Sequence, residues 1–403
     1  MEIRICATAE ELRDAAGAIV HYFGRDQPDE EWAERWLKNF QLERMHAAFD
    51  GDAIVGGAGA FSFRMTVPGG VLPTAGVTIV GVLPTHRRRG ILRAMMRAQL
   101  DDVHERGEPL AALWASEETI YGRYGYGLAS LALELEIPRA QGAFRPGVER
   151  VGQMRLVDAA EAATLMPAVY DAVQRVTPGM YERSPAWWEH RPLADPPEWR
   201  GAGGPKLYSV LEVEGAVQAY ALYRLHVSFG NLGPETKLQT NEVLGVTPAA
   251  TASIWRYLLD VDWTQTIASR LLSVDHPLLL LLARLNLARP TISDALWVRL
   301  VDVGAALSGR SYDGDGSVVL DVRDEFCPWN EGRWRLEGGE AARTDDAADI
   351  ALDVAELGSV YLGGFTFREL WWAGRVEELR EGALARADAL FRTETAPWCP
   401  EIF

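Results

Sequence analysis

Residues 76–93 read GVTIVGVLPTHRRRGILR, a strand and a helix joined by a basic turn. Thr78, Ile79, Val80 and Val82 are β-branched, which predicts a strand over 76–82. Pro84 ends it, Arg87, Arg88, Arg89 and Gly90 follow, and a helix is predicted to start there. A helix start exposes N–H groups with no partner inside the helix and carries the positive end of the dipole, so it attracts anions. The arginines add charge, and a glycine lets a phosphate approach the backbone closely. An arginine run alone reads as a solvated loop. Its flanks make this one a pyrophosphate cradle, with neither the P-loop spacing nor a dinucleotide fingerprint.

Working outward, residues 1–137 mix helix and strand signals. A helix is predicted near 9–22, strands at 46–50 and 53–67, a helix from about 89 to 106, and strands at 110–116 and 127–137. Between the last two strands stand Ser116-Glu117, a helical turn EETIYGR, and the run from Tyr121 to Tyr126, YGRYGY. A strand ending V-x-V before proline, then R-x-x-G-x at a helix start, is similar to the acetyl-CoA loop of GNAT acetyltransferases. Their pattern Q/R-x-x-G-x-G/A takes in Arg87 and Gly90, and Leu92 departs from the small residue usual at its end. GNAT enzymes often carry Y-x-x-x-G-F further on, with the tyrosine beside the coenzyme sulfur. Tyr121, Gly125 and Tyr126 fit that spacing, with Tyr126 in place of phenylalanine. Tyr124 and Tyr126 are expected to pack rather than react.

The segments VLPTAGVTIVGVLPTHRRRGILRAMM and ALWASEETIYGRYGYG together resemble the Eis (enhanced intracellular survival) family of actinobacterial N-acetyltransferases. The resemblance covers the whole chain and implies an α+β and α/β architecture of tandem GNAT folds. An acetyl-CoA-binding GNAT domain would span 1–140, a degenerate one 141–295, and a domain similar to sterol carrier proteins 296–403. It implies coenzyme contacts at Val80, Gly81, Val82, Arg88, Arg89, Gly90, Ile91, Leu92, Arg93, Ser116 and Glu117. The catalytic tyrosine falls on Tyr121. The second catalytic group is a terminal carboxylate on phenylalanine, and this chain ends in Phe403. The family implies a homohexamer that acetylates amines of polyamino substrates, aminoglycosides among them.

The later chain gives its own signals. QGAFRPG at 141–147 is a predicted boundary, with Gly and Pro close together. The order of elements in 148–295 follows the first domain without its phosphate-loop signature. HPLLLLLARL at 276–285 is predicted to be a buried helix, too short to span a bilayer, which takes roughly 18 apolar residues. YDGDGS at 312–317 contains a DxDG, but an EF-hand loop needs a glutamate at its twelfth position. Asp324 stands there, and a hairpin turn is the expectation.

Bulk properties narrow the classes. A length of 403 residues predicts roughly two to three domains. The net charge of −17 argues against a nucleic-acid partner, because phosphate binding needs clustered Lys and Arg. No segment suits a membrane span, and the first twenty residues lack a signal-peptide layout, so a cytoplasmic protein is expected. Cys6, Cys327 and Cys399 give neither a disulfide framework nor metal spacing, and no metal is expected.

A substrate amine must lose a proton before attacking a thioester, and the departing thiolate must be stabilised. A carboxylate and a tyrosine supply those two functions. No cysteine is near the motif in sequence, which favours direct attack in a ternary complex over an acyl-enzyme. For the cationic amine, residues 26–36 (DQPDEEWAERW) offer Asp26, Asp29, Glu30, Glu31, Trp32 and Trp36, with Glu401 near the chain end. A solvated helix face explains the same acids equally well. Two readings compete with an enzyme: a lipid- or sterol-binding protein acting through the C-terminal domain, and a scaffold with an inactive GNAT domain. The intact Arg88, Gly90, Tyr121 and Phe403 speak against the scaffold.

Overall fold

The computed structural model describes residues 1–230 and 233–403. It divides into two compact units. One takes in Met1–Ser130, Ala295–Pro397 and Ile402–Phe403, and the other Leu131–Asp294 and Trp398–Glu401. Among the described residues no helix is long and apolar enough to cross a membrane.

The first unit opens with β1 (Glu2–Ile5), α1 (Ala9–Val20), α2 (Glu30–Trp36), β2 (Met45–Asp50), β3 (Ala53–Val67) and β4 (Gly70–Val82). α3 (Ile91–Glu105), β5 (Leu110–Trp114), α4 (Glu118–Tyr121) and β6 (Gly127–Leu128) follow. The Thr8 side chain accepts from Glu11 N and caps α1, whose small buried residues bring it close to the sheet. Gly57 and Gly81 meet it there: a Cβ would stand 2.6 Å from Ala15 O at Gly57 and 2.8 Å from Ile19 Cα at Gly81.

The second unit holds β7 (Leu131–Pro138), β8 (Gln153–Val157), α5 (Ala159–Gln174), α6 (Pro185–His190), β9 (Leu207–Val213) and β10 (Ala216–His226). After the short β11 (Phe229–Gly230) and β12 (Gly233–Pro234) come β13 (Thr236–Gly245), α7 (Pro248–Asp260), β14 (Thr264–Ser273), α8 (Leu278–Leu281) and β15 (Thr291–Asp294). Its sheet runs β15-β7-β14-β13-β10-β9-β8. β13, α7 and β14 repeat the β4–α3–β5 arrangement, a strand and a helix returning to a parallel strand.

Two expectations change here. The strand expected over 127–137 is two strands in two sheets. Ala129 N and Ser130 N both donate to Leu296 O (2.9 and 3.1 Å), which ends β6 and sends β7 to the second sheet. The units part at Ser130, and Phe144 of the expected boundary loop bridges to Leu282 inside the second unit. The buried helix expected at 276–285 is a single turn, α8, because Leu282 is extended in that bridge, and Leu280 is exposed.

The chain returns to the first sheet with β16 (Leu296–Leu300), antiparallel between β5 and β6, giving the order β1-β2-β3-β4-β5-β16-β6. α9 (Val303–Ser308) then leads to β17 (Ser317–Arg323), β18 (Gly332–Glu337), β19 (Glu340–Arg343) and β20 (Ile350–Asp353). α10 (Val354–Tyr361), α11 (Phe367–Trp372), β21 (Val376–Glu378) and α12 (Ala383–Leu390) complete it, around a sheet ordered β19-β18-β17-β20-β21. Residues 312–317 join a helix to a strand, so the turn is no hairpin. Asp324 is a buried partner of Arg299 (2.5 Å) and also accepts from Cys327 N and Asn330 Nδ2. α10 is buried along its whole length, and its backbone lies so close to β6 that a Cβ on Gly127 would stand 1.8 Å from Ala355 O. Between α10 and α12 the interior holds the Arg310 guanidinium, which donates to Tyr361 O and to Phe391 O (3.2 Å). A cation at the carbonyl ends of two helices is favoured by their dipoles.

Candidate active site

The site grows from a fork in the first sheet. β4 pairs with β5 only from Thr74 to Gly76, opposite Leu110 to Ala112. Ile79 then takes φ +54°, costly for a β-branched residue, and the β3–β4 register shifts between Gly57 and Gly59. Such a bulge bends a strand. Beyond it β4 runs to Val82 paired with β3 alone, so among the described residues the edge of Thr78–Val82 that faces away from β3 has no partner strand. Tyr22 takes up the Val82 carbonyl by donating its hydroxyl (2.7 Å).

The basic turn closes one end of the fork. Arg88 (φ +62°) and Gly90 (φ +79°) both sit in the left-handed region with Arg89 between them. Alternation of that kind turns successive N–H groups toward one concave side. Gly90 is the N-cap of α3 with no side chain capping the helix, and a Cβ there would meet nothing within 4 Å. Asp50 tethers the turn from β2 through His86 (3.3 Å) and Arg89 (3.7 Å). Arg87, Arg88 and Arg89 are exposed, and Arg88 makes no ion pair among the described residues. Ile91 is buried in the core, whereas Arg93 lies over the Phe326 ring at 5.1 Å. An unpaired strand edge, an uncapped helix start and exposed guanidinium groups fit the pyrophosphate and pantetheine of acetyl-CoA. The second unit lacks this cradle: only Val246 and Thr247 join β13 to α7, and Thr247 caps the helix by accepting from Ala250 N.

Ser116 and Glu117 are exposed at the end of β5, and Tyr121 closes α4 facing inward, 7% exposed. Burial pushes its hydroxyl up to about 12, with the neighbouring Tyr124 and Glu117 adding to the rise. The Tyr126 ring stands edge-on to it at 6.0 Å. Gly125 is required for the turn, with φ +81°, and the Arg299 guanidinium fills the space a side chain would need. Cys327, remote in sequence, belongs to the same core cluster as Tyr121, a neighbour that sequence spacing could not reveal. It is fully buried and burial raises its thiol pKa, so it is no nucleophile.

Of the acidic segment, Asp29 caps α2 by accepting from Trp32 N (2.8 Å), and Glu30 and Glu31 occupy its first turn. Their placement is explained by the helix. Asp26 is exposed. Trp32 and Trp36 stack on each other at 5.0 Å, and from Trp36 an aromatic series runs to Phe61 (5.3 Å), Phe63 (5.5 Å) and Phe403 (4.9 Å). The Phe63 ring covers Gly76, the last β4 residue paired with β5. The end of the chain is thus packed beside the root of the fork, and its ring is buried. Alternation of Phe61 and Phe63 along β3 was the available sequence signal for this wall.

Glu401 is a structural node of the second unit. Its Oε2 accepts from the Tyr181 hydroxyl (2.9 Å), Arg183 Nη2 (2.9 Å) and Trp187 Nε1 (3.0 Å), and Arg191 approaches Oε1 at 3.6 Å. Burial would raise its pKa, but the two arginines and the two neutral donors hold it below the usual range.

Known proteins resemble this chain along nearly its whole length. Residues 3–129 and 179–300 match acetyltransferase (GNAT) domain families, and 303–400 match a sterol carrier protein domain family. The chain is 42% identical over 392 residues to an uncharacterized N-acetyltransferase of Streptomyces avermitilis, covering 96% of this chain and 95% of the relative. It is 37% identical over 357 residues to the N-acetyltransferase Eis of Mycobacterium tuberculosis, covering 85% and 84%. The crystal structure of Eis1 from Mycobacterium abscessus superposes with a TM-score of 0.85 at 32% identity, covering both chains fully.

Proposed function

The chain belongs to the Eis family of GNAT N-acetyltransferases, and from that premise we propose that it acetylates an amine of a small polycation, an aminoglycoside, a polyamine or a lysine side chain. The observation that carries the reading is the β4–β5 fork, closed by the Arg88–Gly90 turn and flanked by Tyr121.

Acetyl-CoA supplies the activated acetyl group. The edge of Val80–Val82, the turn Arg88–Gly90, the first turn of α3 at Ile91–Arg93 and the polar pair Ser116-Glu117 would hold it. Tyr121 donates a hydrogen bond to the sulfur, and the Phe403 carboxylate accepts the proton of the attacking amine. Trp32 and Trp36 present stacked faces to the cation, with Asp26 adding negative charge. Direct attack on the thioester is favoured because Cys6, Cys327 and Cys399 are all buried thiols. On the family resemblance we propose a homohexamer in the cytoplasm.

A thiol-release assay with acetyl-CoA and a panel of aminoglycosides, polyamines and a lysine peptide tests the reading. Release dependent on a polycationic amine is expected. Release only with uncharged acceptors, or none with any amine, overturns it.

A further inference from the structure

The connection from β17 to β18 is made almost entirely by residues 324–330 (DEFCPWN), which belong to the first unit. This loop is fixed at both ends. The Asp324 carboxylate is buried against Arg299 of β16 (2.5 Å) and accepts from Cys327 N (2.9 Å) and Asn330 Nδ2 (3.0 Å). Asn330 also donates to Val301 O (3.0 Å) and accepts from Val303 N (3.0 Å), and the Trp329 indole N–H donates to Val301 O (2.8 Å). A short loop closed by its own carboxylate and tied down at each end keeps few conformations, so a side chain carried between those ends is held in place.

Phe326 is that side chain, 3% exposed. Its ring meets two parts of the candidate active site. Arg97 and Arg93 of α3 lie over it, 4.0 and 5.1 Å from the ring centroid, and Arg97 also donates to the Phe326 carbonyl. The Tyr124 ring stands edge-on to it at 5.0 Å. Tyr124 is buried in the turn that presents Tyr121, and that turn is closed by bonds from Gly125 N to Gly122 O (3.0 Å) and from Tyr126 N to Tyr121 O (3.3 Å). The loop supports the same turn a second time through Asp324, because Arg299, whose charge it balances, occupies the space beside Gly125. An aliphatic residue at 326 would fill the volume but offer no aromatic face to Arg93 and Arg97.

We propose that Phe326 is a positioning residue for acetyl transfer, which aligns Tyr121 with the coenzyme by seating Tyr124 against the Arg93 and Arg97 side of α3. The C-terminal third of the chain thereby serves the chemistry of the first sheet through a loop whose neighbours lie about 200 residues earlier. The inference rests on the reading of Tyr121 as hydrogen-bond donor to the coenzyme sulfur.

The test is a double-mutant cycle in the full-length enzyme between Phe326→Leu and Tyr121→Phe, read as kcat in thiol release and as acetyl-CoA affinity by calorimetry. Phe326→Leu is expected to lower kcat roughly 10- to 10²-fold, up to the cost of a reacting group misplaced by about 1 Å. Affinity for acetyl-CoA should fall no more than about fivefold, the loss of the Arg93 contact with the ring. In the Tyr121→Phe background the same substitution should change kcat less than about twofold, since the hydroxyl it aligns is gone, whereas independent effects would multiply. Arg97→Met removes the guanidinium from the ring and from the Phe326 carbonyl at a partly exposed site. It should show the same pattern more weakly, and the same outcomes judge the inference if Phe326→Leu does not fold. A parental kcat, or a loss that multiplies fully with that of Tyr121→Phe, overturns the positioning role. Tyr121→Phe at parental kcat overturns the donor reading and the inference with it. A slow Tyr121→Phe beside a Phe326→Leu of parental kcat overturns the inference alone.

Discussion

Replacing Tyr121 with phenylalanine removes one oxygen from an enclosed site and leaves the ring to fill its core, so stability should change by about 1 kcal/mol or less. The chemistry should change much more. Burial puts the phenol at about 12, whereas a thiol has an ordinary pKa of about 8.5. Complete proton transfer from Tyr121 to the thiolate is then uphill by about 3.5 pKa units, or roughly 5 kcal/mol. The hydroxyl is better suited to stabilise the sulfur as a hydrogen-bond donor than to give its proton away. Loss of one preorganised donor costs roughly 10²–10³ in kcat, about 3–4 kcal/mol. The raised pKa also fixes the pH behaviour. A phenol that ionises near 12 stays protonated from pH 6 to 10, so the ratio of parental to Tyr121→Phe kcat should be constant across that range. Steady-state thiol release between those limits, with calorimetry of acetyl-CoA binding, measures both quantities. A loss confined to KM would make Tyr121 a binding residue. A descending limb near pH 9 that vanishes in the phenylalanine variant would falsify the donor assignment.

Other consequences are as specific. Gly90→Asp fits the left-handed backbone and open space but sets a carboxylate in the cradle; acetyl-CoA affinity should drop at least about tenfold by calorimetry, and an unchanged value removes the turn from the coenzyme site. Extending the chain beyond Phe403 should abolish turnover while acetyl-CoA still binds; a C-terminally tagged enzyme with parental kcat/KM refutes the carboxylate role. Arg299→Met leaves Asp324 buried without its cation and should cost roughly 3–5 kcal/mol in urea unfolding, with Asp324→Asn in the same chain recovering part of it. Because Thr247 caps the second helix start, acetyl-CoA should bind at one site per chain, and a stoichiometry of two contradicts that closure.

The parts of the site legible in the sequence were those made by neighbours along the chain. Arg88, Arg89 and Gly90 form a turn within a few residues, and Gly125 follows Tyr121 at fixed spacing, so residue type and interval carried the information. The strand exchange was not legible. In GLASLALELEI the alternation continues through Ala129 and Ser130 without a break, and period two is the same whichever sheet a strand joins. What divides it is Leu296, more than 160 residues away. The partners of Glu401 were not legible for a related reason. A carboxylate near the chain end attracts cations of any origin, and its donors come from Tyr181, Arg183 and Trp187, over 200 residues earlier.

The two forks of this chain separate what the fold provides from what the turn decides. Each unit has a strand and a helix returning to a parallel strand, and in each the paired strands part after a few residues. In the first, GVLPTHRRRGI spends Leu83 to Gly90 between strand and helix, two of them left-handed, and leaves the helix N–H groups open. In the second, GVTPAAT spends only Val246 and Thr247, and the threonine hydroxyl takes the bond an anion would have made. Thr247→Gly alone could not restore the cradle, because no arginine and no concave run of N–H groups would come with it. A fork closed at its phosphate end still offers buried walls, and an acidic, aromatic segment of the same chain can use them. The Thr247 cap and the contacts of Trp398 and Glu401 are both made within the second unit.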